Sequence, residues 1–338
     1  MRGVTLMLYV PILKCKQGEK DALFMLENEV KDNIVPLLEL TPDVIGRGNF
    51  SGISDFWKDR PFMFDVSFEH DDLVDDDYFK LLAKCDNHQV IPVIKLSDSN
   101  EKISKIFSTC KNGIALRLYI EEILDDDFES NYQDLLEKIE LSRTSLIIDV
   151  QHVESSKINE VSFLINGAIN LISNISEFQH VIFASNSFPD SLQKVDRYEI
   201  TILNRLENKL FKKIKPHFNN NGVNVIYSDY AVNHWTYFEY KPGIQPSFNI
   251  RYTTEDYYVI YKGDTNKKGG LKIEKIQDAC QQLISSQYYM GRNYSWGDNE
   301  IYEKAHSISN KPGNFTTWRA IGTNHHITFI VDLLSSQS

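Results

Sequence analysis

The chain has 338 residues, a formal net charge of −11 and a sequence pI of about 5.3. An acidic chain of this kind is unsuited to coating nucleic acid through its overall field, although a local basic patch remains compatible with it. No apolar run approaches the roughly 20 residues needed to span a bilayer. We therefore expect no membrane-spanning helix. The N-terminal residues show no signal-peptide pattern.

The four cysteines are scattered along the chain and include no C-x-x-C pair. They are Cys15, Cys85, Cys110 and Cys280. Isolated cysteines of this kind are typical of small core residues rather than of metal ligands or disulfide partners. Cysteine usage therefore predicts a reducing compartment and a cytoplasmic location.

Eight short apolar runs alternate with helical patterns over the first two thirds of the chain. The runs lie at residues 6–14, 34–40, 61–66, 90–96, 113–119, 145–151, 180–185 and 223–229, and the last predicted helix among them covers 200–214. Strands that alternate with helices indicate parallel pairing through right-handed crossovers. Eight such units favour a closed (β/α)8, TIM-like barrel over an open doubly wound sheet.

The chain continues beyond the eighth predicted strand. Residues 247–253 and 257–263 predict a β-hairpin, and the apolar spacing near the C-terminus predicts a last helix. We therefore expect an α/β fold with a C-terminal β-hairpin and loop insertion between strand eight and the last helix. The expected divisions are barrel strands within 1–229, an insertion or lid over the barrel mouth at 230–323, and a closing helix of the barrel at 324–338.

A charged or hydroxyl residue stands near the C-terminal end of each predicted strand. These residues are Lys14, Glu39, Asp65, Lys95, Arg117, Asp149, Ser185 and Asp229. Charges are costly to bury unless they are paired or used, and the strand C-termini of such barrels carry their functional sites. This polar ring predicts a pocket at the barrel mouth, lined by three cations and four carboxylates.

Two kinds of chemistry fit this pocket. The four carboxylates could hold a divalent cation such as Mg²⁺, although the sequence does not determine the metal. The cations would then hold a phosphate for metal-assisted phosphodiester hydrolysis. The catalytic candidates are Glu39, Asp65, Lys95, Asp149 and Asp229. Lys95 could instead form a Schiff base with a carbonyl substrate.

A purely structural interpretation of the ring stays open beside these. Asp65 and Lys95 would lie on neighbouring strands, as would Arg117 and Asp149. Such pairs could form a lattice of ion pairs that fills the barrel mouth and binds nothing.

A second candidate anion site lies near the C-terminus. Thr323 or Asn324 is a plausible N-cap of the predicted last helix, where free backbone N–H groups suit an anion. Barrels often bind phosphate near strands seven and eight. Arg251 and Arg319 could supply forked donors to it.

Further ligand-binding candidates come from the N-terminal region, the strand ends, the aromatic segment at 288–318 and the predicted last helix. They are Lys14, Lys16, Arg117, Ser185, Trp296, Asp298, Trp318 and His325. His325 and His326 point about 100° apart on a helix, so we do not expect both to ligate one metal. The tryptophans could equally fill the core, and Thr323 could simply cap.

Several short sequence motifs carry a family resemblance. They are YVPILK at 9–14 with Gly18-Glu19, PLLE at 36–39, SFP at 187–189, SDY at 228–230, RYT at 251–253, SWGD at 295–298, PGN at 312–314, TWR at 317–319 and GTNHH at 322–326. Through them the chain resembles the beta family of prophage-encoded and defence-associated bacterial proteins. The resemblance implies a setting of phage–host conflict with partner genes nearby, and it implies no reaction or catalytic residue.

We predict an antiphage-defence or prophage protein whose barrel-mouth pocket binds, and could hydrolyse, a phosphate-bearing ligand such as a nucleotide or nucleic-acid end. The alternative is a non-catalytic barrel scaffold that docks a toxin, nuclease or ATPase partner. Its aromatic segment at 288–318 would form the interface, because Tyr, Trp and Arg dominate interface hot spots. The sequence leaves the oligomeric state open.

Overall fold

The chain folds into two compact units. The computed structural model describes residues 7–46, 53, 55–66, 75–85, 89–238, 243, 245–269 and 271–337. Leu6, with which the first predicted strand begins, lies outside this range. Unit 1 consists of Met1–Lys14, Asn33–Ser187 and Leu206–Tyr230, and unit 2 consists of Cys15–Asp32, Phe188–Arg205 and Ala231–Ser338.

Unit 1 contains a closed barrel of parallel strands, which confirms the predicted (β/α)8 fold. Its strands are β1 (Tyr9–Lys14), β2 (Leu37–Leu40), β3 (Phe62–Val66), β4 (Val90–Lys95), β5 (Ile114–Tyr119), β6 (Thr144–His152), β7 (His180–Asn186) and β9 (Val225–Asp229). Each strand pairs with the next in this order, and β9 closes the ring by pairing with β1. Nearly every strand residue is buried, as expected where helices cover a parallel sheet.

Helices of unit 1 connect these strands. They are α3 (Pro42–Gly46), α4 (Asp75–Leu82), α5 (Asn100–Thr109), α6 (Ile120–Ile123), α7 (Phe128–Leu136), α8 (Ile158–Leu171) and α9 (Leu206–Asn220). Amphipathic spacing explains the longer ones: α5, for example, buries Ile103 and Ile106 and exposes its charged residues.

Unit 2 is built on a three-stranded sheet in the order β10-β11-β8. Its strands are β8 (Ile200–Asn204), β10 (Ser247–Thr253) and β11 (Tyr257–Thr265), and its helices are α1 (Gln17–Phe24), α2 (Asn28–Lys31), α10 (Ile273–Ile284), α11 (Trp296–Ala305) and α12 (Phe315–Ser336). Strands β10 and β11 are antiparallel, as the predicted hairpin required. One face of the sheet forms an apolar core with α10, α11 and α12.

The helix predicted over 200–214 is wrong at its start. Residues 200–204 form strand β8, in which Ile202 pairs with Val259 of β11. β-branched residues such as these favour a strand when an edge is available for pairing. The helix begins only at Leu206, whose N–H donates to Ser187 Oγ at 3.0 Å.

The predicted closing helix at 324–338 is also corrected. Helix α12 begins at Phe315, after Asn314, whose Oδ1 accepts a hydrogen bond from the Thr317 N–H at 2.9 Å. Gly322 lies inside α12, and a glycine is needed there because a Cβ would stand 2.8 Å from the carbonyl oxygen of Arg251.

The predicted domain divisions change with that helix. Helix α12 belongs to unit 2 together with residues 231–314, so the predicted insertion at 230–323 and the predicted barrel helix at 324–338 are parts of one unit. Two segments predicted within the barrel range, Cys15–Asp32 and Phe188–Arg205, belong to unit 2 as well. The physical reason is that α12 is buried on most of its surface and needs packing partners, among them α1 and β10.

Two further observations bear on the sequence-based expectations. Among the helices that the structure describes, none combines the length and apolar character that crossing a bilayer requires. All four cysteines are buried and free, as the scattered spacing predicted.

The close approach of α11 to α12 gives a first prediction. A Cβ on Gly297 would lie 2.4 Å from the carbonyl oxygen of Ile321. We expect Gly297→Ala to lower the free energy of unfolding by about 1–3 kcal/mol, because the two helices must move apart. Urea denaturation measures this change.

Gly167 on α8 is the matched control, because a Cβ there has nothing within 4 Å. Gly167→Ala is expected to raise the free energy of unfolding by about 0.5–1 kcal/mol through helix propensity. Equal effects of the two substitutions would contradict the packing argument.

Candidate functional site

The strand register brings the predicted polar ring together. In the barrel, Lys14 is the register partner of Glu39, and Glu39 is the partner of Asp65. Lys95 is in the same way the partner of Arg117. All five residues are buried, with 8% or less of their surface exposed. The pairing of parallel strands therefore collects acids and bases that are far apart in the sequence.

Arg117 is the centre of this cluster. Its Nη1 donates to Glu39 Oε1 at 2.8 Å and to Asp65 Oδ2 at 2.6 Å. Its Nε and Nη2 donate to Asp149 Oδ2 at 3.0 and 2.6 Å. The second Nη2 hydrogen is donated to the Tyr230 hydroxyl at 2.6 Å. A guanidinium carries five N–H donors, so every donor of Arg117 is engaged.

The carboxylates around Arg117 use their remaining oxygens within unit 1. Glu39 Oε2 accepts from Lys14 Nζ at 2.8 Å. Asp65 Oδ1 and Asp149 Oδ1 each accept a nearby backbone N–H at 2.8 Å. Burial by itself would raise the pKa of Glu39, but the charges of Lys14 and Arg117 outweigh it and lower the pKa to about 2. Glu39 is therefore ionised under all ordinary conditions.

This arrangement matches the structural interpretation of the polar ring, in which the charged side chains form a lattice of ion pairs. Arg117 has no N–H left for a phosphate, and Lys14 is already paired with Glu39. In the described part of the chain, no group of three or more His, Cys, Asp or Glu side chains could hold a metal ion. The geometry thus supports neutralisation of buried charge rather than the predicted Mg²⁺ chemistry at these carboxylates.

Three other members of the predicted ring take different positions. Asp229 accepts hydrogen bonds from the hydroxyls of Tyr9 and Tyr227 at 2.5 and 2.9 Å. Lys95 is buried at the end of β4. Ser185 is also buried, and its Oγ makes no hydrogen bond to any residue that the structure describes.

In unit 2, Asp298 and His325 form a buried ion pair. Asp298 Oδ2 lies 2.8 Å from His325 Nδ1 and accepts from Ser295 Oγ at 2.6 Å, while Oδ1 accepts from the Tyr252 hydroxyl at 2.7 Å. His325 Nε2 lies 2.9 Å from the Thr253 carbonyl oxygen. Both ring nitrogens of His325 thus face oxygen atoms of unit 2.

The two members of this pair are fully buried. Burial would raise the pKa of Asp298, but the charge of His325 outweighs it and the pKa is lowered. Because no surface of either side chain is exposed, the pair has no access to a ligand. Asp298 and His325, both predicted to bind ligand, therefore hold α11 and α12 together.

Of the two aromatic candidates, Trp318 is a core residue and Trp296 is partly exposed. Trp318 is 4% exposed, and its Nε1 donates to the Pro312 carbonyl oxygen at 3.0 Å. Its ring packs edge-on against Phe248 at 4.9 Å between centroids, and Trp296 packs against the same core. The interpretation that the tryptophans fill the core is the one that the packing supports.

The helix start predicted at Thr323 and Asn324, on which the candidate anion site rested, is wrong. Both residues lie in the middle of α12, where their backbone N–H groups are used by the helix itself. Asn324 instead joins three helices: its Oδ1 accepts from the Gly297 N–H at 3.0 Å, and its Nδ2 donates to the Ala22 carbonyl oxygen at 3.2 Å.

The two predicted arginines of unit 2 lie side by side. The Nη1 atoms of Arg251 and Arg319 both donate to the carbonyl oxygen of Val232, at 2.5 and 3.1 Å. Arg319 Nη1 also bonds Asn233 Oδ1, and Arg251 Nε donates to Asn249 Oδ1 at 2.9 Å. Within the described residues, Arg251 Nη2 and Arg319 Nε and Nη2 make no hydrogen bond.

The positive charge of this pair is poorly balanced. Burial lowers the pKa of both guanidiniums, and the charge of Arg319 lowers that of Arg251 further. Glu19 is the carboxylate that acts on both, but no ion pair joins it to either arginine among the residues described. Burial raises the pKa of Glu19, although the charges of Arg319 and Lys16 act in the opposite direction.

Glu19 has one oxygen engaged and one without a partner. Its Oε1 accepts from Asn233 Nδ2 at 3.1 Å, and its buried Oε2 makes no hydrogen bond to a described residue. Lys16 lies close by in the chain, with its Nζ 4.3 Å from the centre of the Tyr237 ring. Unit 2 therefore holds three cations around one buried carboxyl group.

The sequence did not point to Tyr230, Glu19 or Asn233. Tyr230 completes the donor set of Arg117, and Glu19 and Asn233 complete the surroundings of Arg319. Tyr230 and Glu19 stand within the words SDY and Gly18-Glu19 that carried the family resemblance. These two motifs were the signal in the sequence that could have pointed to Tyr230 and Glu19. No such signal pointed to Asn233.

A family model described as Beta protein matches residues 9–332. The chain belongs to the Beta protein family. No curated protein matches it. Among solved structures, it is similar to triosephosphate isomerase from Bartonella henselae, with 10% identity, a TM-score of 0.33, and coverage of 68% of this chain and 93% of that one. The assignment of a closed barrel to this member of the Beta protein family rests on the pairing of its own strands.

Removal of Arg117 tests its role as the centre of the barrel cluster. Arg117→Met leaves Glu39, Asp65 and Asp149 buried without their shared cation. We expect the free energy of unfolding to fall by about 3–5 kcal/mol, because the buried charges lose their compensation. Urea denaturation measures this loss.

Arg143→Met is its control, because the ion pair of Arg143 with Glu140 is 3.8 Å long and largely exposed. This control is expected to change stability by about 0–1 kcal/mol. If Arg117→Met lowered the free energy of unfolding as little as the control does, the structural role of Arg117 would be contradicted.

The lowered pKa of Glu39 predicts a pH dependence. A carboxyl whose folded-state pKa is depressed stabilises the fold above its unfolded pKa and loses that contribution as the pH falls. We expect a contribution on the order of 3 kcal/mol to disappear between pH 4.5 and about 2. The measurement is urea denaturation of the wild type and Glu39→Gln across this range. The variant should show a flatter profile, and parallel profiles would contradict the assignment.

Proposed function

We propose that this member of the Beta protein family binds a phosphate-bearing ligand, such as a nucleotide or nucleic-acid end, at the Arg251–Arg319 pair of unit 2. The observation that carries the proposal is the set of unused N–H donors on two adjacent guanidiniums. The site is thus placed in unit 2 rather than at the barrel carboxylates.

The donor geometry supports an anionic ligand. The shared acceptor, the Val232 carbonyl oxygen, fixes the Nη1 atom of each arginine, and Asn249 fixes Arg251 Nε, so that Arg251 Nη2 and Arg319 Nε and Nη2 have no hydrogen bond among the described residues. Arg251 is further held by Phe188, whose ring centre lies 4.6 Å from its Cζ. Forked guanidinium donors that are already positioned bind phosphate oxygens in pairs, at a small cost in side-chain entropy.

The charge balance supports the same class of ligand. Two cations that share one acceptor repel each other, and Glu19 does not pair with either of them in the described residues. A phosphate carries the negative charge that the pair lacks. Both arginines are partly exposed, so a ligand can reach them from solvent.

Glu19 is compatible with an anion because burial raises its pKa. A protonated Glu19 would offer a hydrogen from its unpartnered Oε2 instead of a like charge. Lys16 adds a third positive charge near Arg251 and Arg319, because its charge lowers the pKa of Glu19. Lys16, Arg251 and Arg319 were all ligand-binding candidates from the sequence.

Hydrolysis is not part of the proposal. The carboxylates that would hold a metal are engaged by Arg117, Lys14 and backbone N–H groups. Docking of a partner through the aromatic segment is also left out, since Trp318 is buried and the partly exposed Trp296 packs against the core. The phage–host setting enters only through membership of the Beta protein family.

Substitution of the pair tests the proposal. We expect the Arg251→Gln/Arg319→Gln double variant to bind a 5′-phosphorylated oligonucleotide at least about tenfold more weakly than the wild type, because charge-assisted hydrogen bonds are lost. Isothermal titration calorimetry with the phosphorylated oligonucleotide, its 5′-hydroxyl form, ATP and pyrophosphate measures the effect. Tight binding of ATP and not of the oligonucleotide would identify a nucleotide site.

Arg292→Gln is the control, because this exposed arginine of unit 2 bonds Asn299 and lies on the Tyr302 ring. It should bind like the wild type, and in infected cells it should protect as well as the wild type does while the double variant fails. Failure of the wild-type protein to bind any of the four compounds at millimolar concentration would refute the proposal. Equal binding by the double variant would refute the site.

A further inference from the structure

Unit 2 contains a cavity of about 480 Å³ that the proposed anion site does not use. Its wall combines residues of β10, β11 and α10 with Tyr198, which precedes β8. Three of the lining side chains are aromatic: Tyr198, Phe248 and Tyr261. A volume of this size is within the range of small-molecule sites, and an aromatic wall is typical of them.

Tyr261 provides a polar group without a partner inside this wall. It is 4% exposed, and its hydroxyl takes part in no hydrogen bond with any residue in the described part of the chain. Burial, and next the charge of Asp278, raise its pKa to about 12, so the hydroxyl keeps its proton and its oxygen can accept. The hydroxyl oxygen keeps some solvent exposure where Tyr261 lines the cavity, so a ligand or water can bond to it there.

The cavity carries excess negative charge. Arg197 lies beside the cavity, with its Nη1 bonded to the Gly263 carbonyl oxygen, while Asp264, Glu274 and Asp278 line the cavity together with a single cation, Lys275. Lys275 is already paired, because its Nζ contacts Asp264 Oδ2. The Tyr198 hydroxyl donates to the other oxygen, Asp264 Oδ1, at 2.6 Å. Two carboxylates are left without a counterion.

Glu274 and Asp278 stand four residues apart on α10, so they share one face of the helix. Glu274 has no ion pair or hydrogen bond among the described residues, and Asp278 accepts only from Gln282 Nε2 at 3.1 Å. Like charges at this spacing repel each other, and a cation between them would remove the repulsion.

We propose that this cavity binds a small organic cation that carries primary ammonium groups. The ammonium would lie between Glu274 and Asp278 and donate to the Tyr261 hydroxyl oxygen, while the alkyl chain lies along the aromatic wall. An ammonium offers three N–H donors and also gains from the π-faces of tyrosines. A Ca²⁺ or Mg²⁺ ion fits less well, because it needs about six oxygen ligands and the aromatic side chains supply few.

Calorimetric titration with 1,4-diaminobutane at constant ionic strength tests this inference. We expect saturable binding to the wild-type protein and at least tenfold weaker binding to Glu274→Gln/Asp278→Asn. Tyr261→Phe, which removes one oxygen, should weaken binding severalfold. Both carboxylates are exposed, so the double variant should keep its thermal midpoint.

Glu160→Gln, which removes an exposed carboxylate from α8, is the matched control and should bind like the wild type. A second titration with Nα-acetyl-lysine amide separates the sources of the ammonium: tighter binding than diaminobutane would indicate a lysine side chain of a protein. Absence of saturable binding to the wild type, or equal binding by the double variant, would overturn the inference. Arg251→Gln/Arg319→Gln should still bind the amine, so this test is independent of the phosphate proposal.

Discussion

The charge of Arg117 is the constraint on which the barrel of unit 1 depends. Three carboxylates from three different strands converge on its guanidinium, and all of them are almost fully buried. Without a shared cation, these strand ends would place like charges in a medium that solvates them poorly. Arg117, helped by Lys14 at Glu39, therefore compensates the buried negative charge where β2, β3, β5 and β6 end.

The two groups of arginine side chains differ in how many donors the protein uses. Arg117 gives all five N–H groups to carboxylates and a tyrosine, so it is a structural residue. Arg251 and Arg319 give theirs to neutral carbonyl and amide oxygens and keep several unused. The number of N–H donors already bonded thus distinguishes arginines that stabilise the fold from arginines that can bind a ligand.

Unit 2 depends on close helix packing in a comparable way. Gly297 and Gly322 allow backbones to approach where a Cβ would collide, and Asn324 joins three helices through its amide. The buried Asp298–His325 pair lies on the same two helices. Residues that looked like a capped helix start and a ligand surface are therefore packing residues of α11 and α12.

The sequence by itself determined the barrel, because eight buried apolar strands alternating with helices have few other ways to pair. It also placed acids and bases at the strand ends, and the parallel register of the structure then sets Lys14, Glu39 and Asp65 in one row. Only the tertiary structure decided which charges neutralise one another and which keep free donors. It also decided that α12 starts at Phe315 and packs in unit 2, because helix boundaries and partners depend on contacts between distant segments.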